Sequence, residues 1–270
     1  MKHLSASSIR LVIFTSWSSP YSPLILQKVV ERHGACIQAI VKVRVDRRRS
    51  AWKRFLSVVR RAGLRYALLK SLLLGSIRIK QALGLYPSIC SLCRKYRVRR
   101  LVLGSLKAQE TVEAVKRLEP DVVLSVLFEK IFPLEILQIP SQAALNLHPA
   151  PLPRYAGIAP TFWVLSRGER ETGVTLHYMD EGIDTGEIYL QKRVEIGNRD
   201  SVHSLYVRCC TAGSDLLSEA IEMMLKDRWD RTPQQEGGTY FSAPTQDAYR
   251  LLRKHGHSLF SIADFLWPSP

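Results

Sequence analysis

Short apolar runs alternate with amphipathic segments over the first 150 residues of the chain. Each run is six to ten residues long and rich in β-branched side chains, as is typical of buried strands. The runs that we interpret as strands span 9–14, 36–45, 99–104, 121–127 and 143–148. A first helix is predicted at 21–33. A crossover helix before the fourth strand is indicated by the helical spacing of Ala108, Val112, Val115 and Leu118. The alternation predicts an α/β fold, with a Rossmann-like, mostly parallel sheet and helices on both faces.

The pattern changes after residue 171. Two segments rich in β-forming residues, 172–180 and 186–196, are joined by a glycine-containing loop and predict a pair of strands. A long amphipathic helix is predicted from about Ser201 to Leu225. The tail that follows holds at most a few short elements. We therefore predict one domain over 1–227 and a short C-terminal extension over 228–270.

Residues 46–98 interrupt the order of strands. An apolar stripe at helical spacing is formed by Phe55, Val59, Ala62, Tyr66, Leu69 and Leu73. Arginine and lysine side chains fall beside or opposite that stripe. The segment is predicted to be an amphipathic helical insertion after the second strand, broken near Gly75 and Gly84. Two roles are left open for it, a helical cap over the sheet or a clamp for an anionic acceptor.

The formal net charge of +15 is concentrated in this same region. Between Lys42 and Arg100 there are eighteen lysines and arginines and one acid, Asp46, while the remaining 211 residues sum to about −2. A local basic patch favours anionic partners: phosphate-bearing substrates, nucleic acid, or an anionic membrane surface.

Other sequence features limit the possible functions. The longest apolar segment, 66–77, is interrupted by Lys70 and is shorter than the ~20 residues that span a bilayer. With no signal-peptide core at the amino terminus, we expect a cytoplasmic protein. The spacing of Cys90 and Cys93 resembles half of a zinc site, but no matching second pair follows, and no metal is expected. The first strand is not followed by the glycine-rich dinucleotide motif, which argues against NAD as the ligand.

Asn146 and His148 lie two positions apart at the end of the fifth strand. Residues i and i+2 of a strand point to the same side, so both can face one site beyond the carboxyl edge of the sheet. Asp184 follows in a tight turn, 36 residues after His148. An amide and an imidazolium can stabilise an oxyanion, and a carboxylate can keep the imidazole protonated. The three residues predict acyl transfer without a covalent intermediate.

At these residues the chain resembles the folate-dependent formyltransferases. The family's Asn-x-His-Pro signature matches Asn146, His148, Pro149, Leu152 and Pro153, although Ala150 and Pro151 depart from the serine and leucine found in relatives. The Gly-Val-Thr-x-His and Asp-Thr-Gly elements match Gly173, Val174, Thr175, His177, Asp184, Thr185 and Gly186. The similarity is continuous from about residue 120 to 225, and the first three strands agree in pattern only.

The resemblance implies roles for individual residues. The catalytic set would be Asn146, His148 and Asp184. The donor would be 10-formyltetrahydrofolate, used as a co-substrate and bound by Ser125, Leu127, Phe128, Ile131, His177, Asp180, Glu181 and Gly182. The acceptor amine would be bound by Pro149, Ala150, Arg154, Tyr155 and Gly157. For His177, a structural hydrogen bond is the alternative. The prolines and Gly157 are expected to keep the loop after His148 rigid.

The acceptor is left open between two kinds of molecule. A nucleotide-linked amino sugar or similar small phosphorylated amine is favoured because only about 43 residues follow the long helix, too few for an additional barrel domain. Methionyl-tRNA is the alternative, because the basic insertion lies where tRNA-specific relatives carry a basic loop. Hydrolysis of the formyl donor, a non-catalytic basic binding module and peripheral contact with an anionic membrane are further alternatives. The oligomeric state is not predicted.

Overall fold

The computed structural model describes residues 9–44, 51–261 and 264. The predicted end of the second strand at Val45, the start of the insertion at 46–50 and parts of the C-terminal extension lie outside the described residues.

Nine strands among the described residues form a large sheet and a small one. Their bounds are β1 (Leu11–Thr15), β2 (Ile37–Val43), β3 (Arg100–Leu103), β4 (Val122–Val126), β5 (Ala143–His148), β6 (Ala156–Gly157), β7 (Glu171–Tyr178), β8 (Ile188–Glu195) and β9 (Tyr240–Phe241). Seven of them form one sheet in the order β3-β2-β1-β4-β5-β7-β8, in which β1 to β5 are parallel and β7 and β8 are antiparallel. The predicted Rossmann-like sheet, including the pair of strands after residue 171, is confirmed.

The helices cover both faces of this sheet, and each face has its own hydrophobic core. Their bounds are α1 (Ser22–His33), α2 (Ala51–Ala62), α3 (Leu64–Ala82), α4 (Ile89–Lys95), α5 (Gln109–Lys116), α6 (Leu134–Leu137), α7 (Pro160–Ser166), α8 (Val202–Met224) and α9 (Gln246–Lys254). Strand β1 shows why both faces are covered. Leu11 and Ile13 belong to the core that contains α1 and α8, whereas Val12 and Phe14 belong to the core beside α5.

The predicted helical insertion forms α2 and α3, but it breaks at a different glycine. The break is at Gly63, whose φ of 89° is a left-handed conformation that favours glycine. The predicted break near Gly75 is wrong, because this residue lies inside α3, where a helix tolerates an isolated glycine at a cost of about 1 kcal/mol. The expected break at Gly84 is found, directly after the C-cap residue of α3.

The C-terminal residues pack on the rest of the chain. Strand β9 pairs with β6, and α9 contributes Ala248, Tyr249 and Leu252 to the same core as α1 and α8. The described part of 228–270 is thus in close contact with the domain. The boundary between residues 227 and 228 remains a prediction. Among the described residues, no helix combines the length and the hydrophobicity needed to cross a membrane.

Candidate active site

A cavity of about 640 Å³ lies at the carboxyl edge of β4 and β5. Parallel α/β sheets bind ligands at this edge, where strands give way to loops. Ser125, Asn146 and His148 line the cavity from the two strands, and residues 182–184 line it from the loop after β7. The antiparallel pairing of β5 with β7 adds His177, which lies directly opposite Asn146 in the strand register. The three side chains predicted to be catalytic thus share one cavity.

Asn146 is positioned by a histidine and a carboxylate. Its Nδ2 atom lies 3.1 Å from Nε2 of His177 and donates to Oδ1 of Asp184 at 3.3 Å. Nδ1 of His177 lies 2.8 Å from the carbonyl oxygen of Tyr178. A carbonyl only accepts, so Nδ1 carries the proton and the unprotonated Nε2 accepts from Asn146. The orientation of the Asn146 amide is therefore determined from both sides.

His148 is buried between two oxygen atoms. Its Nε2 lies 3.0 Å from the carbonyl oxygen of Tyr155, and its Nδ1 lies 3.6 Å from Oδ2 of Asp184. Burial lowers the pKa of His148 below its ordinary 6.5, and this outweighs the attraction of the Asp184 carboxylate, which acts in the opposite direction. The expectation that Asp184 keeps this imidazole protonated is therefore not met in the resting site.

Asp184 is held as a carboxylate. Burial alone would raise its pKa, but the neighbouring imidazoles of His177 and His148 and the backbone N–H of Gly157 together lower the pKa to about 2. The Gly157 N–H donates to Oδ2 at 2.9 Å. Gln234 holds the backbone of the turn, since its side-chain amide donates to the carbonyl oxygens of Asp184 and Gly186 at 2.9 and 2.7 Å.

Strained backbone is concentrated at this cavity. Seven described residues other than glycine have positive φ angles, and three of them, Leu127, Ala159 and Asp184, line the cavity. Such conformations cost about 1–3 kcal/mol each and persist where the surrounding structure holds them. The local geometry is thus imposed by packing around the site, as is common where side chains must be aimed at a ligand.

The loop after His148 forms one wall of the cavity and is fixed along its length. Thr175 donates to the carbonyl oxygen of Ala150 at 2.7 Å and accepts from the N–H of Leu152 at 3.2 Å. The Leu152–Pro153 peptide bond is cis. Further along, Gly157 has a φ of 97°, and a Cβ atom at this position would lie 2.3 Å from the carbonyl oxygen of Phe241. The expectation of a rigid loop matches this network of contacts.

Most of the residues assigned to the folate by resemblance line the cavity. These are Ser125, Leu127, Phe128, Ile131, His177, Asp180 and Gly182. Glu181 is exposed and is not part of the lining. Among the residues assigned to the folate, Glu181 is the one whose role the geometry does not support. Its neighbours in the turn form the wall of the cavity instead.

The residues assigned to the acceptor divide into two groups. Pro149 and Gly157 line the cavity. Ala150, Arg154 and Tyr155 lie outside the lining: Ala150 is fully buried in the core, and Arg154 lies 3.8 Å from Glu169. The hydroxyl of Tyr155 donates to the same glutamate at 2.6 Å, while its carbonyl oxygen faces His148. The loop turns these side chains away, so the structure gives them no direct contact with a ligand in the cavity.

Several lining residues were not found from the sequence. Arg61 reaches the cavity from α2 in the insertion, Tyr206 from α8, and Tyr240 and Ala243 from the C-terminal segment. Tyr206 belongs to the apolar repeat of the long helix, which by itself indicates only a core position. No sequence signal separates Arg61 from the other arginines of the basic segment.

No described group of histidine, cysteine, aspartate and glutamate side chains has the arrangement of a metal site. Cys93 is buried in α4, and burial raises the pKa of its thiol to about 11. This environment is that of an unreactive core thiol.

Comparison with known proteins assigns the central region of the chain to a family. The formyl transferase family model matches residues 91–221, which include the lining residues of the cavity from Ser125 to Tyr206. Residues 91–221 belong to the formyl transferase family. The resemblance seen at Asn146, His148 and Asp184 is confirmed at the level of the family.

The chain matches its curated relatives over part of their length. It is 36% identical over 166 residues to the methionyl-tRNA formyltransferase of Desulforamulus reducens, covering 62% of this chain and 52% of that protein. The methionyl-tRNA formyltransferase of Syntrophus aciditrophicus is 35% identical over 167 residues, covering 62% and 54%. The chain thus spans about half the length of the curated relatives it matches.

Solved structures share the fold. The N-formyltransferase of Helicobacter canadensis, in complex with folinic acid and dTDP-3-aminofucose, superposes with a TM-score of 0.57 at 20% identity and covers 87% of this chain and 71% of that one. The phosphoribosylglycinamide formyltransferase of Streptococcus pneumoniae superposes with a TM-score of 0.57 at 17% identity and covers 80% and 98%.

Proposed function

We propose that this chain transfers a formyl group from 10-formyltetrahydrofolate to a primary amine. The observation that carries the proposal is the convergence of Asn146, His148 and Asp184 on one cavity, with hydrogen-bonding atoms 3.3 to 3.6 Å apart. The match to the formyl transferase family model supports it, because the matched region contains all three residues. Asn146, His148 and Asp184 are the proposed catalytic residues.

The shape and lining of the cavity fit a folate donor. Its volume of about 640 Å³ lies within the range of small-molecule sites, roughly 300–1,000 Å³. Leu127, Phe128 and Ile131 offer apolar surface on one side, and Asp180 and Gly182 lie on the loop opposite. We assign the pteridine ring to this cleft and the transferable formyl group to the end nearest Asn146. Tetrahydrofolate derivatives bound to proteins of this fold support the assignment.

Asn146 would stabilise the oxyanion that forms when the amine attacks the formyl carbon. In the resting site, both of its N–H bonds have partners, His177 and Asp184. The longer contact, 3.3 Å to Asp184, is the one that can be exchanged for the oxyanion. The contact with His177 keeps the amide aimed during this exchange. An aimed hydrogen-bond donor in a partly dry site stabilises developing charge more strongly than water does.

Asp184 would accept the proton lost by the attacking amine. With a pKa of about 2 it is ionised at neutral pH, and it lies within reach of the same reacting centre as Asn146. The proton would then pass to the departing folate nitrogen. As Asp184 becomes protonated, its attraction for the Asn146 N–H weakens, which favours donation from Asn146 to the oxyanion. His148 can add its Nε2–H to the same oxygen by exchanging the Tyr155 carbonyl for it.

For the acceptor we propose a small amine that carries phosphate, such as a nucleotide-linked amino sugar. Arg61 extends to the cavity from α2, and guanidinium groups match the geometry of phosphate oxygens. Tyr240 and Ala243 of the C-terminal segment form part of the same wall, which narrows the approach for a large acceptor. The Helicobacter canadensis protein, which has the same fold, binds such a sugar nucleotide.

Methionyl-tRNA is the second candidate acceptor. The relatives that match most of the central region at 31–36% identity are methionyl-tRNA formyltransferases. The segment from Lys42 to Arg100 carries eighteen basic residues, a density that suits the phosphates of RNA.

The two acceptors are distinguished by a direct assay. Purified protein would be incubated with 10-formyltetrahydrofolate and either a panel of amino-sugar nucleotides or methionyl-tRNA, and product formation followed by mass spectrometry. Transfer to a sugar nucleotide with weak dependence on salt supports the first acceptor. Transfer to tRNA with affinity that falls steeply as salt rises supports the second. Release of formate without any acceptor would indicate a hydrolase, and absence of turnover with every substrate would contradict the proposal.

A further inference from the structure

A stripe of aliphatic side chains runs along the exposed side of α3. Five of them are 48–67% exposed: Leu64, Leu68, Leu72, Ile79 and Leu83. Their spacing of four, four, seven and four residues places them within an arc of about 100° on a helix with 3.6 residues per turn. We name these five residues the α3 stripe. The stripe extends for roughly 28 Å along the helix axis, at 1.5 Å per residue.

The opposite side of α3 attaches the helix to the domain. Tyr66, Ala67, Leu73 and Ile77 are buried there. The ring of Tyr66 packs edge-on against Phe162 and Tyr249. Because α3 already has an apolar face in contact with the protein, the α3 stripe is a second apolar face that the described part of the chain leaves open to solvent.

Exposed basic residues lie beside the stripe on α3 and on the neighbouring helix α2. Arg65 and Arg78 are exposed and flank the stripe on its two sides. Lys53 and Arg54 are exposed on the neighbouring helix α2, next to Trp52, whose side chain is 64% exposed. From residue 47 to 109 the sequence contains no aspartate or glutamate. The surface therefore combines exposed leucines, an exposed tryptophan and exposed arginines on a segment that contains no acidic residue.

We infer that the α3 stripe docks on an anionic lipid bilayer. Aliphatic side chains enter the boundary between headgroups and acyl chains, while arginines at the border contact anionic headgroups, so both halves of this surface have a partner in such a membrane. RNA would use the arginines and leave the leucines in water. The helix would lie in the plane of the interface, with its opposite face still packed on the domain.

The docked surface would adjoin the cavity. Arg61, which lines the cavity, precedes the first leucine of the stripe by three residues. Membrane docking would thus place the rim of the candidate active site close to the bilayer. The inference goes beyond the proposed function and does not depend on it, because lipid binding can be measured without substrates.

Flotation with lipid vesicles tests the inference. The full chain would be mixed with vesicles of phosphatidylcholine alone or of phosphatidylcholine with 30% phosphatidylglycerol, and the bound fraction measured after centrifugation. We expect binding to the anionic vesicles only. The double variant Leu68→Glu/Leu72→Glu should bind at least tenfold more weakly, because it removes two inserted side chains and adds repelled charges. Arg65→Gln/Arg78→Gln should bind more weakly by roughly fivefold for each arginine.

A matched control uses two exposed leucines on other helices. Leu134 and Leu251 are 46% and 37% exposed, and Leu134→Glu/Leu251→Glu should leave vesicle binding unchanged. Thermal unfolding and formyl transfer to a soluble acceptor should be unchanged in Leu68→Glu/Leu72→Glu, which separates this test from that of the proposed function. Equal binding of wild type and Leu68→Glu/Leu72→Glu would overturn the inference. So would a wild-type dimer that this variant converts to a monomer without any vesicle binding, since the stripe would then be an interface between two copies.

Discussion

The imidazole of His148 is held between the carbonyl oxygen of Tyr155, 3.0 Å from Nε2, and the carboxylate of Asp184, 3.6 Å from Nδ1. The carbonyl can only accept, so Nε2 carries a proton in every state of the ring. The state of Nδ1 then determines the charge of His148. Burial favours the neutral ring, and the Asp184 carboxylate favours the charged one, with burial the stronger effect in the resting site.

This balance leads to an expected pH dependence of stability. The pKa of His148 is lower in the folded chain than its ordinary 6.5. The folded state therefore binds the proton less readily than the unfolded state does. The contribution of His148 to the free energy of unfolding is therefore fully present above pH 6.5. It is lost as the pH falls through the pKa that His148 has in the folded chain. The free energy of unfolding, measured with urea at pH 7.5 and pH 5.5, should decrease less over this interval in His148→Gln than in the wild type.

Other groups do not obscure this comparison. Burial also lowers the pKa values of His33 and His203, and both contribute equally to the wild type and to His148→Gln. Asp184, with a pKa of about 2, stays ionised throughout the interval. An identical pH dependence in the two proteins would show that His148 has no depressed pKa.

Replacement of Asn146 tests the proposed oxyanion donor. Asn146→Ala should lower kcat for formyl transfer by about two to three orders of magnitude, corresponding to roughly 2.7–4 kcal/mol for one such donor. Steady-state kinetics and a thermal melt are the measurements, and the melt should change little. The exposed Asn198 offers a matched control, since Asn198→Ala should retain full activity. Near-normal turnover of Asn146→Ala would remove Asn146 from the mechanism.

Asp184→Asn tests the proton acceptor with almost no change in shape. The amide oxygen can still accept from the N–H of Gly157, but it cannot take a proton from the amine. We expect kcat to fall by about 10²–10⁴, the usual contribution of general acid–base catalysis, with a smaller change in KM. Asp230→Asn, at an exposed position paired with Arg228, is the control. Loss of donor binding with unchanged kcat would instead assign Asp184 to ligand binding.

Gly157→Ala tests the close contact between the loop after His148 and the C-terminal segment. The new Cβ would lie 2.3 Å from the Phe241 carbonyl oxygen and would push β9 away from β6. Gly256→Ala is a matched control, because Gly256 has a φ of 81° but no atom within 4 Å of the added Cβ. Both variants carry a left-handed penalty of roughly 1–2 kcal/mol. Urea unfolding should show a larger loss for Gly157→Ala, which should also lose activity because the N–H of Gly157 contacts Asp184. Equal losses of stability would mean that the clash is relieved without consequence.

The periodicities in the sequence were sufficient to predict the central sheet and part of the candidate active site. Runs such as 9–14 and 121–127 are apolar on both faces, which is the pattern of strands covered by helices on each side, and this requires no knowledge of distant contacts. Asn146 and His148 could be placed on one side of a strand because side chains alternate along it. The break at Gly63 instead of Gly75 was not predictable in the same way, because several glycines can end a helix and packing selects among them.

The sequence by itself determined the fold class, the family resemblance and the identity of the three central polar residues, because each of these depends on local spacing. Tertiary structure decided which other side chains join them. Arg61, Tyr206 and Tyr240 lie more than 50 residues from His148 in the sequence and on separate elements. Only the packing of those elements brings these side chains to the cavity. It also decided the state of His148, since burial and the Tyr155 carbonyl depend on how a loop folds back over the strand. Charge and hydrogen bonding act through space, and local sequence patterns do not specify these distances.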